Sequence, residues 1–326
     1  MGGVREFPVA LLELMDADGV TGLGECAPSS RYGESVTSGL EFFAKLDAKK
    51  LSFEDLASSM SYVESLATGQ FAAKGAVNVA LLDGAARKTK KPLHDFLGLK
   101  FEERRHVTSF SIGIDRPKVI REKTLAAANY PILKLKVGVP EDKVNFTALR
   151  EAAPGKRVRV DANEGWQTKE HALEMIEWLA RDGHVEFVEQ PMPADSPPED
   201  LAWLKRRSPL PLFADESYLS AQDIAGCAEA FHGVCVKLSK SGGVSHSVDA
   251  LRAARNAGLA TMLGCMIETS VLISAAAHLA ALADHLDLDG NLLITNDPFA
   301  GATAENGVMS FASAPEPYGL QTRLKE

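Results

Sequence analysis

Short apolar runs rich in β-branched residues, each ending in a charge and spaced like one strand, one helix and two loops, predict an α/β chain built as a modified (β/α)8 TIM barrel. The runs are YPIL before Lys134-Leu-Lys136, RVRV before Asp161, VEFV before Glu189, LPLFA before Asp215, and VCVKL around Lys237 and Lys240. From Lys136, the successive intervals to Asp161, Glu189, Asp215 and Lys240 are 25, 28, 26 and 25 residues. A second observation adds a smaller N-terminal α+β lid, because two alternating segments joined at Asp18-Gly19 and several helical runs precede the repeat. A third is the tail beyond Asp289, where Gly- and Pro-containing strand-like sequence is expected to pack back on the lid.

The lid is assigned to residues 1–105. Val9 to Met15 and Val20 to Glu25 read as the two arms of a hairpin. Gln70 to Lys88 reads as a helix, with Ala73, Val77, Ala80 and Leu81 at helical spacing and basic residues at its end. Residues 106–291 carry the barrel repeat, with helices expected over Thr168–Arg181, Ala221–Ala230 and Val244–Asn256, and residues 292–326 form the returning segment. Parallel strands of a barrel deliver their C-terminal ends to one rim, where barrel enzymes keep their chemistry. Residues far apart in sequence are therefore expected to converge, with Lys136 and Lys240 facing opposite sides of a bound substrate.

Composition fits an ordinary enzyme. With 326 residues, 45% hydrophobic and 24% charged, the chain can bury a large core. A net charge of −9 and a pI near 5.5 argue against nucleic-acid or anionic-membrane partners, which require a concentrated positive face. Lys88 to Lys91 and Lys205-Arg206-Arg207 read as solvated helix ends. Cys26, Cys227, Cys235 and Cys265 show no CxxC pairing and read as reduced thiols in the core. The longest apolar stretch, Val271 to Ala283, is too short to span a bilayer and contains His278. Neither a signal peptide nor a myristoylation site is expected, since Glu6 stands where Ser or Thr is needed, so the reading is cytoplasmic. A homo-oligomer is left open.

Three carboxylates from consecutive strands, Asp161, Glu189 and Asp215, offer only oxygen and suit a hard divalent ion, Mg2+ first and Mn2+ as its substitute. Singly, each would read as a helix cap or surface charge, and Asp287-Leu-Asp289-Gly290 as a turn. Regular spacing and joint occurrence favour the ligand reading. A lysine serves as a base near neutral pH when a cation, a second ammonium or a dehydrated pocket lowers its pKa. Lys136 and Lys240 are the candidates, and a base on each face of a carbon suits 1,1-proton transfer. Lys134 is expected to hold a substrate carboxylate, while Asn163, Glu216 and Glu268 stand in supporting positions. Lys237 reads as structural, and none of the eight histidines forms HxH or HExxH.

The ordered set KLK, DANEGW, VEQP, ADES, KLSKSGG and DLDG resembles the enolase superfamily, muconate-lactonizing subgroup, and within it the dipeptide epimerases, the L-Ala-D/L-Glu enzymes above all. The likeness reaches the lid, where GECAPSSRYGES is similar to the loop that closes over substrate in those enzymes. Relatives carry an additional N-terminal strand ahead of the segment corresponding to Val4 to Leu14, and the sequence has no counterpart for it.

The resemblance implies an isomerase that binds a small dipeptide. A Lys base working with Mg2+ is that superfamily's established arrangement and is not shown by the spacing. The resemblance also implies that Asp287 and Asp289 receive the dipeptide's free ammonium and that Arg31 takes the glutamate side-chain carboxylate, for which a forked guanidinium is well shaped. Together these point to L-Ala-D/L-Glu, a peptidoglycan fragment. Three other functions stay open. An o-succinylbenzoate synthase or N-acylamino-acid racemase would use the same ion and lysines on a substrate without a free ammonium. An acid-sugar dehydratase would place a histidine where Glu268 stands. A non-catalytic metal-binding barrel would need no base on either face.

Overall fold

The computed structural model describes residues 6–326; Val4, at the head of the segment read from Val4 to Leu14, lies outside the described residues. The first elements are β1 (Ala10–Met15) and β2 (Thr21–Cys26), an antiparallel pair in the register Ala10↔Cys26 to Met15↔Thr21, turned at Gly19 with φ 78°. Helices α1 (Val36–Phe43), α2 (Leu56–Ser65), α3 (Phe71–Lys88) and α4 (Leu93–Phe96) follow.

Alternation then begins with β3 (Phe110–Ile112), α5 (Pro117–Ala126), β4 (Ile132–Lys136), α6 (Asp142–Ala152), β5 (Arg157–Asp161) and α7 (Lys169–Ala180). It continues through β6 (Val185–Glu189), α8 (Pro198–Arg207), β7 (Leu212–Ala214), α9 (Ile224–Ala230) and β8 (Gly233–Lys237). The last turns are α10 (Leu238–Ser241), α11 (Val244–Asn256), β9 (Ala260–Gly264), α12 (Ser270–Ala277) and β10 (His285–Asp287). The tail holds β11 (Phe299–Ala300), β12 (Thr303–Glu305), β13 (Val308–Ser310) and β14 (Arg323–Leu324). Strands β3 to β10 form one eight-stranded sheet in strictly sequential order, parallel in every described register, as a (β/α)8 winding requires.

The chain divides into two compact units. Residues 107–236 and 252–262 make the first; residues 6–106, 237–251 and 263–326 make the second. In the first, alternate residues of β4 to β6 point two ways because side chains on a strand have period two. Leu133, Leu135, Val158, Val160 and Val188 are wholly buried on one side, while Lys134, Lys136, Asp161 and Glu189 belong to the other. Registers Lys136↔Asp161 and Asp161↔Glu189 then bring these charges level. Phe187, Phe213, Cys235 and Met262 form an apolar cluster, with the two phenyl rings 4.3 Å apart.

In the second unit, α3 is the central element, and every residue from Ala72 to Ala86 is buried. The β1–β2 ribbon lies so close to it that a Cβ on Gly24 would stand 2.0 Å from the carbonyl oxygen of Ala76. Only glycine allows that approach. Ala73, Val77 and Leu81 pack with Cys26, Phe42, Phe53 and Val63 into the core beneath the ribbon. The tail belongs to this same unit: Leu93 N–H donates to Gly319 O at 2.8 Å, Leu320 N–H to Asp83 Oδ1 at 2.7 Å, and Ser310 Oγ to Glu103 at 2.7 Å.

All four cysteines are free thiols. No described helix is long and apolar enough to cross a membrane. Lys240 sits inside α10, one short turn past β8.

Candidate active site

In the first unit, strands β4, β5, β6 and β7 end in a cluster of buried charge. Lys134 is 2% exposed, and its Nζ lies 3.0 Å from Asp161 Oδ2 and 2.7 Å from Glu189 Oε2. Lys136, whose side chain is 30% exposed, reaches the same Asp161 oxygen at 2.7 Å. Burial pushes the Asp161 carboxyl upward, but the ammoniums of Lys134 and Lys136 outweigh it and hold the group below the usual carboxylate range. Asp215, immediately beyond β7, is buried as well.

These donors fit a hard divalent ion. Asp161, Glu189 and Asp215 are all buried and offer carboxylate oxygen, the donor type a hard divalent ion takes. Ligand atoms of Glu189, Asp215 and Cys235 lie within 4.8 Å of one another. Sequence reasoning named the first two and gave Cys235 to the core; its register on β8, next to the strand carrying Asp215, brings the sulfur level with the carboxylates. Asp161, the third expected ligand, pairs with both lysines, as Glu189 does with Lys134.

Backbone strain shapes the surroundings. Asn163, Glu164 and Gln190 adopt left-handed φ values of 40°, 68° and 36° directly after the strand ends. Asn163 N–H donates to Asp161 Oδ1 at 2.9 Å, and its side chain donates to Glu216 Oε1 at 3.2 Å. Gln190, which sequence reasoning passed over, is fully buried and binds four groups. Its Oε1 accepts from Asp215 N and Ser217 N, both at 3.0 Å, and its Nε2 donates to Met192 O and Ser217 Oγ, both at 2.8 Å. Gln190 thereby fixes the backbone that presents Asp215. Its position beside Glu189 in VEQP was the signal that marked it.

In the second unit, Lys240 is 2% exposed and Lys237, at the start of α10, is 7% exposed. Asp287 ends β10 and Asp289 follows it; both are buried. Gly290 is obligatory there, since a Cβ would stand 2.2 Å from Met266 O. Glu268 is buried and joined to the turn before Lys240 through Ser239 Oγ, which donates to its Oε2 at 3.4 Å. Glu25 of β2 accepts from Thr269 N at 2.8 Å and Thr269 Oγ1 at 2.6 Å, capping α12 from a position 244 residues earlier in the chain. Burial first, and then repulsion from Glu25, drives Glu268 well above its ordinary range, while burial, with repulsion from Asp297, pushes Glu25 upward too. Arg31 lies exposed on a 3-10 turn over Ser30–Tyr32.

Known proteins resemble this chain in sequence and fold. The profile "Mandelate racemase / muconate lactonizing enzyme, N-terminal domain" matches residues 1–98, and "Enolase C-terminal domain-like" matches residues 119–309. An L-Ala-D/L-amino acid epimerase from Pedosphaera parvula is 67% identical over 97% of this chain and 91% of its own length. An L-Ala-D/L-Glu epimerase from Bacteroides thetaiotaomicron is 40% identical over 92% of this chain and 78% of its own. Among solved structures, a dipeptide epimerase from Cytophaga hutchinsonii complexed with Mg and the dipeptide D-Ala-L-Val superposes with a TM-score of 0.89 at 28% identity, covering 98% of this chain and 89% of that one. The sequential eight-stranded sheet, the charged strand ends and these matches together place the chain in the enolase superfamily, in its mandelate racemase/muconate lactonizing branch and among the dipeptide epimerases.

Proposed function

We propose that the chain is a Mg2+-dependent dipeptide epimerase that inverts the glutamate α-carbon of L-Ala-D/L-Glu by 1,1-proton transfer. The observation that carries the reading is Lys136 paired with the buried Asp161, whose carboxylate shares Lys134 with Glu189, a basic group beside a set of buried carboxylates. Asp161, Glu189 and Asp215 are assigned to the ion, for which Mn2+ is the natural substitute. Once bound, Mg2+ supplies positive charge that stabilises negative charge developing on the substrate carboxylate more in the transition state than in the ground state.

The chain's own residues do the rest. Lys136 and Lys240 serve as the two bases, one removing the α-proton and the other returning a proton to the opposite face. Exchanging their roles reverses the reaction. Lys134, on giving up its place between Asp161 and Glu189, holds the substrate carboxylate. Asp287 and Asp289 receive the free ammonium of the dipeptide, which separates this substrate from N-acyl amino acids. Arg31 binds the glutamate side chain through two parallel hydrogen bonds. Asn163, Glu216 and Glu268 support these groups. The segments 1–105, 106–291 and 292–326 are assigned as lid, catalytic barrel and returning tail, and the enzyme as cytoplasmic.

Proton NMR of L-Ala-L-Glu with the protein and Mg2+ in D2O tests the reading. Exchange of the glutamate α-proton and appearance of L-Ala-D-Glu are expected, both lost on chelation and net epimerisation lost in Lys136→Ala and Lys240→Ala. Absence of exchange while Mg2+ binds normally would sink the assignment.

A further inference from the structure

We propose that Glu34 is a positioning residue for substrate selection: it pins the turn that carries Arg31 to the first turn of α3 and so sets where the guanidinium stands. This rests on the reading of Arg31 as the receptor for an acidic substrate side chain.

Helix α3 begins without a cap of its own. Gln70 precedes it in a left-handed conformation, φ 56°, and makes no side-chain capping bond. The first N–H groups of a helix have no partner inside it. Glu34 meets two of them, Oε1 accepting from Phe71 N at 2.6 Å and Oε2 from Ala72 N at 3.0 Å, with the residue only 8% exposed. A carboxylate at this end also meets the positive pole of the helix dipole. The platform is firm, because α3 is buried from Ala72 to Ala86.

The turn itself is closed by short-range bonds. Tyr32 N–H donates to Ser29 O at 3.0 Å, Gly33 N–H to Ser30 O at 3.0 Å, Glu34 N–H to Ser29 O at 3.3 Å, and Arg31 N–H to Ser29 Oγ at 3.3 Å. Gly33, with φ 72°, makes the reversal that lets Glu34 turn inward while Arg31 stays at the surface. Arg31 and Glu34 are therefore two ends of one small rigid unit, and the carboxylate bonds fasten that unit to α3. Without them the turn keeps its own bonds and loses this link to α3.

Steady-state kinetics of the Mg2+-loaded enzyme on L-Ala-L-Glu and on L-Ala-L-Gln, equal in size and lacking the charge, tests this in wild type, Arg31→Ala, Glu34→Ala and Glu34→Gln. Glu34→Ala is expected to raise KM for L-Ala-L-Glu about tenfold. Its kcat should stay within about twofold, and KM for L-Ala-L-Gln should hardly move. Glu34→Gln, which keeps an acceptor for one amide, should fall between, and Arg31→Ala should abolish the preference. Equal losses on both dipeptides would reduce Glu34 to a structural cap and overturn the proposal. A full preference in Glu34→Ala, alongside its loss in Arg31→Ala, would overturn it as well. An unchanged preference in Arg31→Ala would instead strike down the Arg31 reading, and the selectivity role of Glu34 with it. Trypsin cleavage after Arg31 would then show whether Glu34 still seats the turn.

Discussion

At Lys134 a single ammonium serves two buried carboxylates, and its removal shows what the cluster costs. Lys134→Met would leave Asp161 and Glu189 facing each other in low dielectric with Lys136 as a partial counter-charge. Breaking a buried ion pair from one side costs about 3–5 kcal/mol. The variant is therefore expected to lose roughly that much stability in EDTA and to recover most of it on adding Mg2+, read from thermal melts in both conditions. A melt shift indifferent to Mg2+ would remove the ion from this cluster. Cys235 marks a limit of sequence reasoning at this scale. Nothing in VCVKL distinguishes a core thiol from one beside Glu189 and Asp215, because the difference lies in register across two strands.

Among the elements, the hairpin and α3 depend on each other through the width of a peptide. Gly24→Ala would drive a methyl group into the Ala76 carbonyl of a helix buried on all sides, where neither backbone can yield. The cost is expected at the upper end of the overpacking range, about 3 kcal/mol, measurable by urea denaturation. Gly19, at the tip of the same hairpin with open space around it, sets the contrast. Helix periodicity marked α3 and α7 to within a residue. The short α10 after β8 was not separable from the strand, because four residues cannot display a helical period.

Over the whole molecule, buried titratable groups set the acid response. His278 is buried against Phe311, ring centroids 4.2 Å apart, with His94 Nδ1 2.8 Å from its own Nδ1. Burial first, and then the neighbouring His94, lower His278 to about 3. A histidine near 6.5 when unfolded and near 3 when folded contributes stability above pH 6.5 that is lost as the pH falls toward 3. Asp161, also lowered, adds to the loss below the ordinary carboxylate range, whereas Glu25 and Glu268, both raised, contribute stability at low pH that is lost as the pH rises through their folded values. His278→Asn is therefore expected to flatten the acid limb of stability against pH by up to one proton, roughly 1.4 kcal/mol per pH unit. An unaltered slope in denaturant titrations between pH 6 and about 4 would assign that limb elsewhere.

The sequence by itself determined the winding of the sheet, the placing of charges at strand ends and the family. Each of these is written in local periodicity and in intervals along the chain, and a strand that ends in a charge announces itself without its neighbours. Tertiary structure alone decided which oxygen each lysine holds, that Gln190 ties Asp215 to the strand before it, that Glu25 caps a helix 244 residues away, and that Glu34 seats the Arg31 turn on α3. The same limit hid the His94–His278 pair, which no spacing motif anticipates. Such contacts depend on register and approach across elements, and no one-dimensional pattern encodes a distance between segments until packing brings them together.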